Sequence, residues 1–284
     1  MTDPKLRHIV TTFHRQMTLV WIVRVVAIIL MAAGIISMVV LPTETHRQWV
    51  FGGMMGLVFC WVLLAARSIR IAREIQAGSV LMHIGRLDDA EVWLQRGLSR
   101  FSLSARAKFV AGETLAALLF RRGDYAQTAE LCQLLLRQRL NKVLNLAVNV
   151  RLLLADSLLR MDRPAEAHEV ILAAYNEHLP LEARMRLLPI ELRYELAANR
   201  TDTAVGNLAA KLQIAELLDS PGAAFVHALL AEACRRENMP AQQDFLTERA
   251  ALYHDLDELA STWPIIAPIA AAAPDTPPSA DTGE

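Results

Sequence analysis

The chain has 284 residues, 54% of them hydrophobic, and its formal net charge is −1. It contains three cysteines and no Cys-x-x-Cys pair, which excludes a disulfide framework and a zinc site built from cysteine pairs. The hydrophobic residues are concentrated near the N-terminus, which favours a membrane protein over a water-soluble one.

Two apolar runs follow an N-terminal segment of residues 1–18. They cover residues 19–41, interrupted only by Arg24, and residues 49–66, which carry no charge. As helices they would reach roughly 34 and 27 Å, and a hydrocarbon core is about 30 Å thick. We therefore predict a transmembrane helical hairpin over residues 19–66.

Basic residues flank the outer ends of this predicted hairpin. They are Lys5, Arg7, Arg15, Arg67, Arg70 and Arg73. By the positive-inside rule, both termini and the rest of the chain lie in the cytoplasm. We expect Arg67, Arg70 and Arg73 to contact the surface of the lipid bilayer. Arginine outnumbers lysine 25 to 4, which we interpret as a bacterial coding bias. Together with the two spans, it predicts a protein of the bacterial inner membrane.

Small residues mark where the two spans could touch. Gly52 and Gly56 form a G-x-x-x-G pair, and Ala33 and Ser37 repeat that spacing on the first span. Such residues let helix backbones approach closely in lipid, so we predict that they pack the two spans together. Arg24 is expected to extend its side chain to the cytoplasmic headgroups.

Residues 67–262 carry apolar residues at helical spacing with almost no strand pattern. Turn residues recur about every 38 positions, and the turns lie near Gly85, Gly123, Pro164, Thr201 and Pro240. A small residue follows each of the first four turns at the same offset, as Ala90, Thr128, Ala167 and Ala204. The pattern predicts an all-α protein in which an α-solenoid of about five helix pairs follows the hairpin.

The segment Gly123-Asp124-Tyr125, followed by the small residue Thr128, resembles the tetratricopeptide repeat (TPR) family. The resemblance extends over roughly residues 71–258 and implies a groove that binds a protein partner. A generic α-solenoid is the alternative, because the period exceeds the 34 residues of that family and Pro189 lies inside a first helix. In architecture alone, two spans before helical repeats also resemble the bacterial HemY family.

By this resemblance, the first helix of each pair supplies the groove. The expected groove residues are Ser79, Met82, Glu113, Phe120, Asn149, Asp156, Arg186 and Arg193. Residues 263–284 contain five prolines and predict a disordered tail, although Trp263 to Ile269 is apolar enough to dock on the array as a cap.

Charge is distributed unevenly along the repeats. Residues 67–163 carry 16 basic and 9 acidic residues, whereas residues 164–284 carry 8 and 19. Either the basic half lies near an anionic membrane surface, or both halves are ordinary solvated helix faces.

No phosphate-binding loop, nucleophile elbow or metalloprotease motif is present. We therefore expect a protein that is not an enzyme, with no cofactor, metal, nucleic-acid partner or small-molecule substrate. The first hypothesis is a membrane-anchored TPR-type scaffold that presents a groove to a cytoplasmic protein of unknown identity. The alternative is a non-catalytic subunit of a membrane enzyme or secretion complex, whose hairpin binds another membrane protein.

Overall fold

The computed structural model describes residues 4–40, 44–137, 147–176 and 179–272. Within these ranges every regular element is a helix, so the predicted all-α class is confirmed. The chain divides into two compact units, Met1–Leu153 and Leu154–Glu284. This division differs from the predicted borders at residues 66 and 262, because helices on both sides of each predicted border pack together.

The helices follow one another with short connections. Those that begin in the first unit are α1 (Pro4–Val40), α2 (Glu44–His83), α3 (Leu87–Ser99), α4 (Ala105–Arg121), α5 (Tyr125–Leu136) and α6 (Ala147–Arg160). Those of the second unit are α7 (Pro164–Tyr175), α8 (Leu181–Ala197), α9 (Thr201–Val205), α10 (Leu208–Ala215), α11 (Ser220–Arg236), α12 (Pro240–Tyr253), α13 (Leu256–Thr262), a 3-10 turn (Pro264–Ile266) and α14 (Ala267–Ala270).

Helix α2 runs without a break from the second apolar run to His83. Its second half packs closely on α3. A Cβ added at Gly97 would lie 2.6 Å from the Ile75 side chain, and one at Gly78 would lie 3.0 Å from Leu94. Both glycines are therefore needed for the close approach of these two helices.

Two helices are long and apolar enough to cross a membrane, over Thr18–Ser37 and Gln48–His83. Of their most apolar windows, 11% and 0% of the residues are buried within the chain. Toward its N-terminal side α1 contributes Val20 and Ala27 to the core, and α1 contacts α3 and α5 as well as α2. No other described residue of the first apolar run is buried, and none of residues 49–66 of α2 is buried, so most of the apolar surface of these two stretches is left uncovered by the described protein.

Five helix ends in the repeat region have the same backbone geometry. Each has a residue with φ between 55° and 84°, at Gly85, Gly123, Asp162, Asn199 and Asn238, which are 38, 39, 37 and 39 residues apart. At each one, the next amide N–H donates to the carbonyl five residues back, as from Arg86 to Leu81 and from Asp124 to Leu119. This left-handed cap ends a helix and reverses the chain into the next one.

The small residues that follow the first four turns are buried in their own units. Ala90 and Thr128 in the first unit, and Ala167 and Ala204 in the second, are at most 1% exposed, as are the small residues Ala116, Ala155 and Ala231 on the helices that precede a turn. Small side chains at these positions allow neighbouring helices to pack at close distance.

The fourth pair departs from this pattern. Its second helix, α9, ends at Val205. The chain then turns at Asn207, which has φ of 53°, before α10 begins. Lys211 Nζ donates to the carbonyls of Thr203 at 2.8 Å and Ala204 at 2.9 Å, at the C-terminal end of α9. This is the part of the array where the sequence pattern is weakest.

Helix α11 lies at the centre of the second unit, and all of its residues from Ala223 to Cys234 are buried. The 3-10 turn and α14 pack on it, with Ile266 and Ile269 fully buried. The predicted disordered tail is therefore wrong for residues 263–272, whereas docking of this segment on the helices is confirmed. Its apolar side chains stabilise the segment despite the prolines. Residues 273–284 lie outside the described ranges.

Candidate functional site

The residues predicted to line a partner groove are distributed over both units. Ser79, Met82, Glu113, Phe120 and Asn149 belong to the first unit; Asp156, Arg186 and Arg193 belong to the second. Their surroundings differ between the units.

In the first unit, α2 and α4 border a cavity of about 310 Å³, which we call the α2–α4 groove. It is lined by Ala72, Ile75, Gln76, Ser79, Ser104, Arg106, Ala107 and Val110. Ser79 was predicted from the sequence, whereas Gln76, Arg106 and Val110 were missed. Their spacing of three or four residues along a helix face is the signal that could have found them. Apolar walls with amide, hydroxyl and guanidinium groups suit a helix or peptide of another protein.

Helix α4 extends this surface beyond the groove. Glu113 and Phe120 follow Val110 at helical spacing and are half-buried, and the Phe120 ring meets Tyr125 edge-on at 5.2 Å. Met82 does not belong to this surface, because only 7% of it is exposed. It lies in the core, where apolar burial outweighs its place on a first helix. Asn149 is half-buried on α6.

In the second unit, the predicted groove residues Asp156 and Arg193 pair with each other, and Arg193 contacts Trp263 of the chain's own tail. Arg193 Nη1 donates to Asp156 Oδ1, and the Arg193 guanidinium lies 4.2 Å from the centre of the Trp263 ring. The Arg160 guanidinium lies 3.4 Å from the same ring, which stacks on Phe225 at 4.6 Å. We call these five residues the Trp263 cluster.

The assignment of Asp156 and Arg193 to a partner groove is therefore wrong. A nearly buried guanidinium needs a carboxylate and is further stabilised by an aromatic face, and both come from within the second unit. Arg186, by contrast, is exposed on α8. Sequence reasoning missed the contribution of Trp263, although its place in an apolar stretch after α13 was a signal.

The three arginines predicted to contact the membrane surface are exposed on α2, directly after the uncharged run. Two of them, Arg67 and Arg70, line a cavity of about 480 Å³, which we call the basic groove. Its remaining lining residues are Leu63, Ala66, Ile71, Glu74 and Arg100. Arg73 lies on the same helix but does not line this groove.

The connection between α3 and α4 is held against α1 and α2 through Leu103. The Leu103 amide donates to Ser68 Oγ at 2.8 Å, and the Leu103 carbonyl accepts from Arg24 Nη2 at 2.9 Å. Arg24 was expected to extend to lipid headgroups; instead it satisfies a backbone carbonyl of the protein. A charge placed inside an apolar run thus joins α1 to the repeat helices.

Lys108 stabilises the same region from within the core. It is fully buried, and its Nζ donates to the Leu98 carbonyl at 3.2 Å, near the C-terminal end of α3. Burial lowers the pKa of Lys108 to about 8, because the charged form loses hydration and has no acidic partner in the described residues to replace it.

The predicted packing of the two spans through small residues is not what the structure has. A Cβ added at Gly52 or Gly56 would meet no atom within 4 Å, and both glycines are exposed, as is Ala33. Gly34 makes the close approach instead, with its added Cβ 3.2 Å from the Met54 side chain. Ser37 is half-buried. The G-x-x-x-G face of α2 thus points away from α1.

Within the described ranges, no three His, Cys, Asp or Glu side chains come together as a metal site. No protein-family model, curated protein or solved structure matches this chain. The function is therefore argued from the geometry of the two grooves and of the apolar helices.

Proposed function

We propose that this protein is a membrane-anchored scaffold of the TPR type, whose first two helices form a transmembrane hairpin. The observation that carries the proposal is the continuity of α2. One unbroken helix contributes an uncharged, uncovered apolar stretch at one end and a wall of the α2–α4 groove at the other. Membrane anchoring and partner binding thus share a rigid element.

The regular turns support the solenoid part of this proposal. Five left-handed helix caps at nearly equal intervals, each followed by a helix that begins two residues later, are expected of stacked helix pairs. Such stacks present the first helix of each pair to a partner, and α2 and α4 are the first helices of the first two pairs. We infer a non-enzymatic role in which the α2–α4 groove binds a segment of a cytoplasmic protein.

The orientation can be tested with single cysteines in the full chain, expressed in a bacterial host. Cys132 and Cys234 are buried, so only the exposed Cys60 needs replacement by alanine. In that background, Arg86→Cys places a thiol at an exposed turn after α2. We expect a membrane-impermeant maleimide to label it in inside-out vesicles and not in intact spheroplasts. Labelling in spheroplasts alone would contradict a cytoplasmic repeat region.

Partner binding can be tested with a photo-crosslinking amino acid introduced into the full chain. We expect crosslinks to one protein from positions Gln76 and Val110 in the α2–α4 groove. The exposed Gln242 on α12 serves as the matched control and should give none. Equal crosslinking from Gln242 would contradict the groove assignment.

The alternative function, a non-catalytic subunit that binds another membrane protein through its hairpin, is favoured by one observation. The Gly52 and Gly56 face of α2 has no neighbour within the described chain. Alanine at both positions would therefore leave the fold intact while filling a surface that another helix could approach. If this variant loses its partner while its own fold stays intact, the alternative is favoured.

A further inference from the structure

We propose that the basic groove binds the phosphate headgroup of one anionic phospholipid molecule. This inference rests on the proposed membrane insertion of α2, and it goes beyond a general attraction of basic residues to the bilayer. It assigns a defined site to Arg67, Arg70 and Arg100, with Leu63 and Ala66 at its apolar edge.

The charge of the groove is one-sided. Three arginines and one glutamate line it, and Arg100 Nη1 already contacts both Glu74 oxygens, at 2.7 and 2.9 Å. Arg67 and Arg70 make no ion pair within the described parts of the chain. Guanidinium groups bind phosphate oxygens through paired hydrogen bonds, so two unpaired arginines beside a third suit a phosphate group.

The position of the groove along α2 also matches the expected level of the lipid headgroups. The uncharged stretch ends at Ala66, and the first basic side chains follow within the next helical turn. If residues 49–66 cross the hydrocarbon core, Arg67 and Arg70 come level with the lipid phosphates. Leu63 is exposed and would contact the glycerol and upper acyl chain of the same lipid.

The arrangement is preorganised by the protein. Arg67 and Arg70 project from a continuous helix about one turn apart. The next residue on that helix, Ile71, is only 2% exposed because it packs into the core. Arg100 caps the C-terminal end of α3, and its Glu74 contact holds it against α2. A ligand therefore finds the three guanidinium groups already near one another.

The test uses the full chain purified in mild detergent and native mass spectrometry to count retained lipids. Phosphatidylglycerol is the probe, zwitterionic phosphatidylcholine, which has no net charge, is the comparison, and inorganic phosphate is the competitor. We expect the unaltered chain to retain one phosphatidylglycerol. Arg67→Gln or Arg70→Gln should weaken its binding roughly fivefold, the factor that corresponds to about 1 kcal/mol per arginine.

The matched control is Arg73→Gln, which removes the same charge from the same helix outside the groove and should leave retention unchanged. Glu74→Gln provides a change in the opposite direction: it removes the one carboxylate of the groove lining, while the amide oxygen can still accept a hydrogen bond from Arg100 Nη1 and keep it against α2, so it should strengthen binding by a similar factor. A merely disruptive substitution would weaken it.

Three results would overturn the inference. They are equal weakening by Arg73→Gln, equal retention of phosphatidylcholine, and displacement of the lipid by inorganic phosphate at the same concentration, which would indicate a site for free phosphate. Cysteine labelling reports membrane insertion separately. A chain that inserts as proposed but retains no phosphatidylglycerol would refute this site and leave the proposed anchor in place.

Discussion

The apolar half of α2 and the helix α11 are both rich in hydrophobic residues, yet they differ in what covers them. Every residue of α11 from Ala223 to Cys234 is buried by its own unit, where it contacts α8, α9, α10, α12 and the tail. In α2, no residue from Trp49 to Ala66 is buried. Hydrophobicity thus shows that a helix must be covered, whereas tertiary packing shows whether the protein itself covers it.

The two helices also differ in how they accommodate polar groups. The apolar half of α2 contains no charge, but α11 buries Glu232 and His227. Burial tends to raise the pKa of Glu232, but hydrogen bonds from Arg235 and Arg236 outweigh it and hold that pKa below its usual value. A protein interior can supply such partners, and a hydrocarbon core cannot.

The largest expected effect on stability comes from truncating a leucine in α11. We expect Leu229→Ala in α11 to destabilise the protein by about 2–5 kcal/mol, because it leaves a cavity in a packed core. Val62→Ala in α2 removes a side chain that is 55% exposed to the surroundings and should cost under about 0.5 kcal/mol. Thermal unfolding of both full-length variants in detergent, followed by circular dichroism, measures the two effects. Similar midpoints for the two variants would mean that α11 and α2 are covered alike.

The Trp263 cluster gives a second, smaller test within the buried region. Asp156→Ala leaves the guanidinium of Arg193 without its carboxylate partner, although Arg193 is only 7% exposed. We expect a loss of about 2–3 kcal/mol, at or below the range for breaking a buried ion pair, because Trp263 still contacts the arginine. Gln242→Ala on the exposed face of α12 is the control and should change the midpoint little. An unchanged midpoint for Asp156→Ala would show that the tail does not need this ion pair.

The smallest expected effect concerns the buried cation Lys108. The pKa of Lys108 is lowered from 10.5 to about 8, so the unfolded chain binds more protons than the folded chain between these values. Stability should therefore rise as the pH increases through this window. Between pH 7.5 and 9.5 we expect a gain of roughly 1–2 kcal/mol for the unaltered chain relative to Lys108→Met. Equal pH dependence of the two proteins would contradict the assignment.

Much of the fold was predictable from local signals. The apolar runs predict two candidate spans, and the recurring turns predict chain reversals; the structure places left-handed caps within two residues of Gly85, Gly123, Pro164, Thr201 and Pro240. The site was predicted less well. Ser79 lines the α2–α4 groove, but Met82 is in the core, and Asp156 pairs with Arg193, which contacts Trp263 of the tail. Which face of a helix is free depends on neighbours far away in the chain.

The sequence by itself determined the helices, their order and the uncharged length of the second apolar run, because hydrophobic periodicity, glycine turns and missing charges act over a few residues. Only the tertiary structure decided that Gly34 rather than Gly52 makes the close contact between α1 and α2, that Arg24 binds the Leu103 carbonyl, and that Trp263 packs on the predicted groove residue Arg193. These choices join residues that are distant in the sequence. They are set by the shape and charge of surfaces that exist only once the helices have packed.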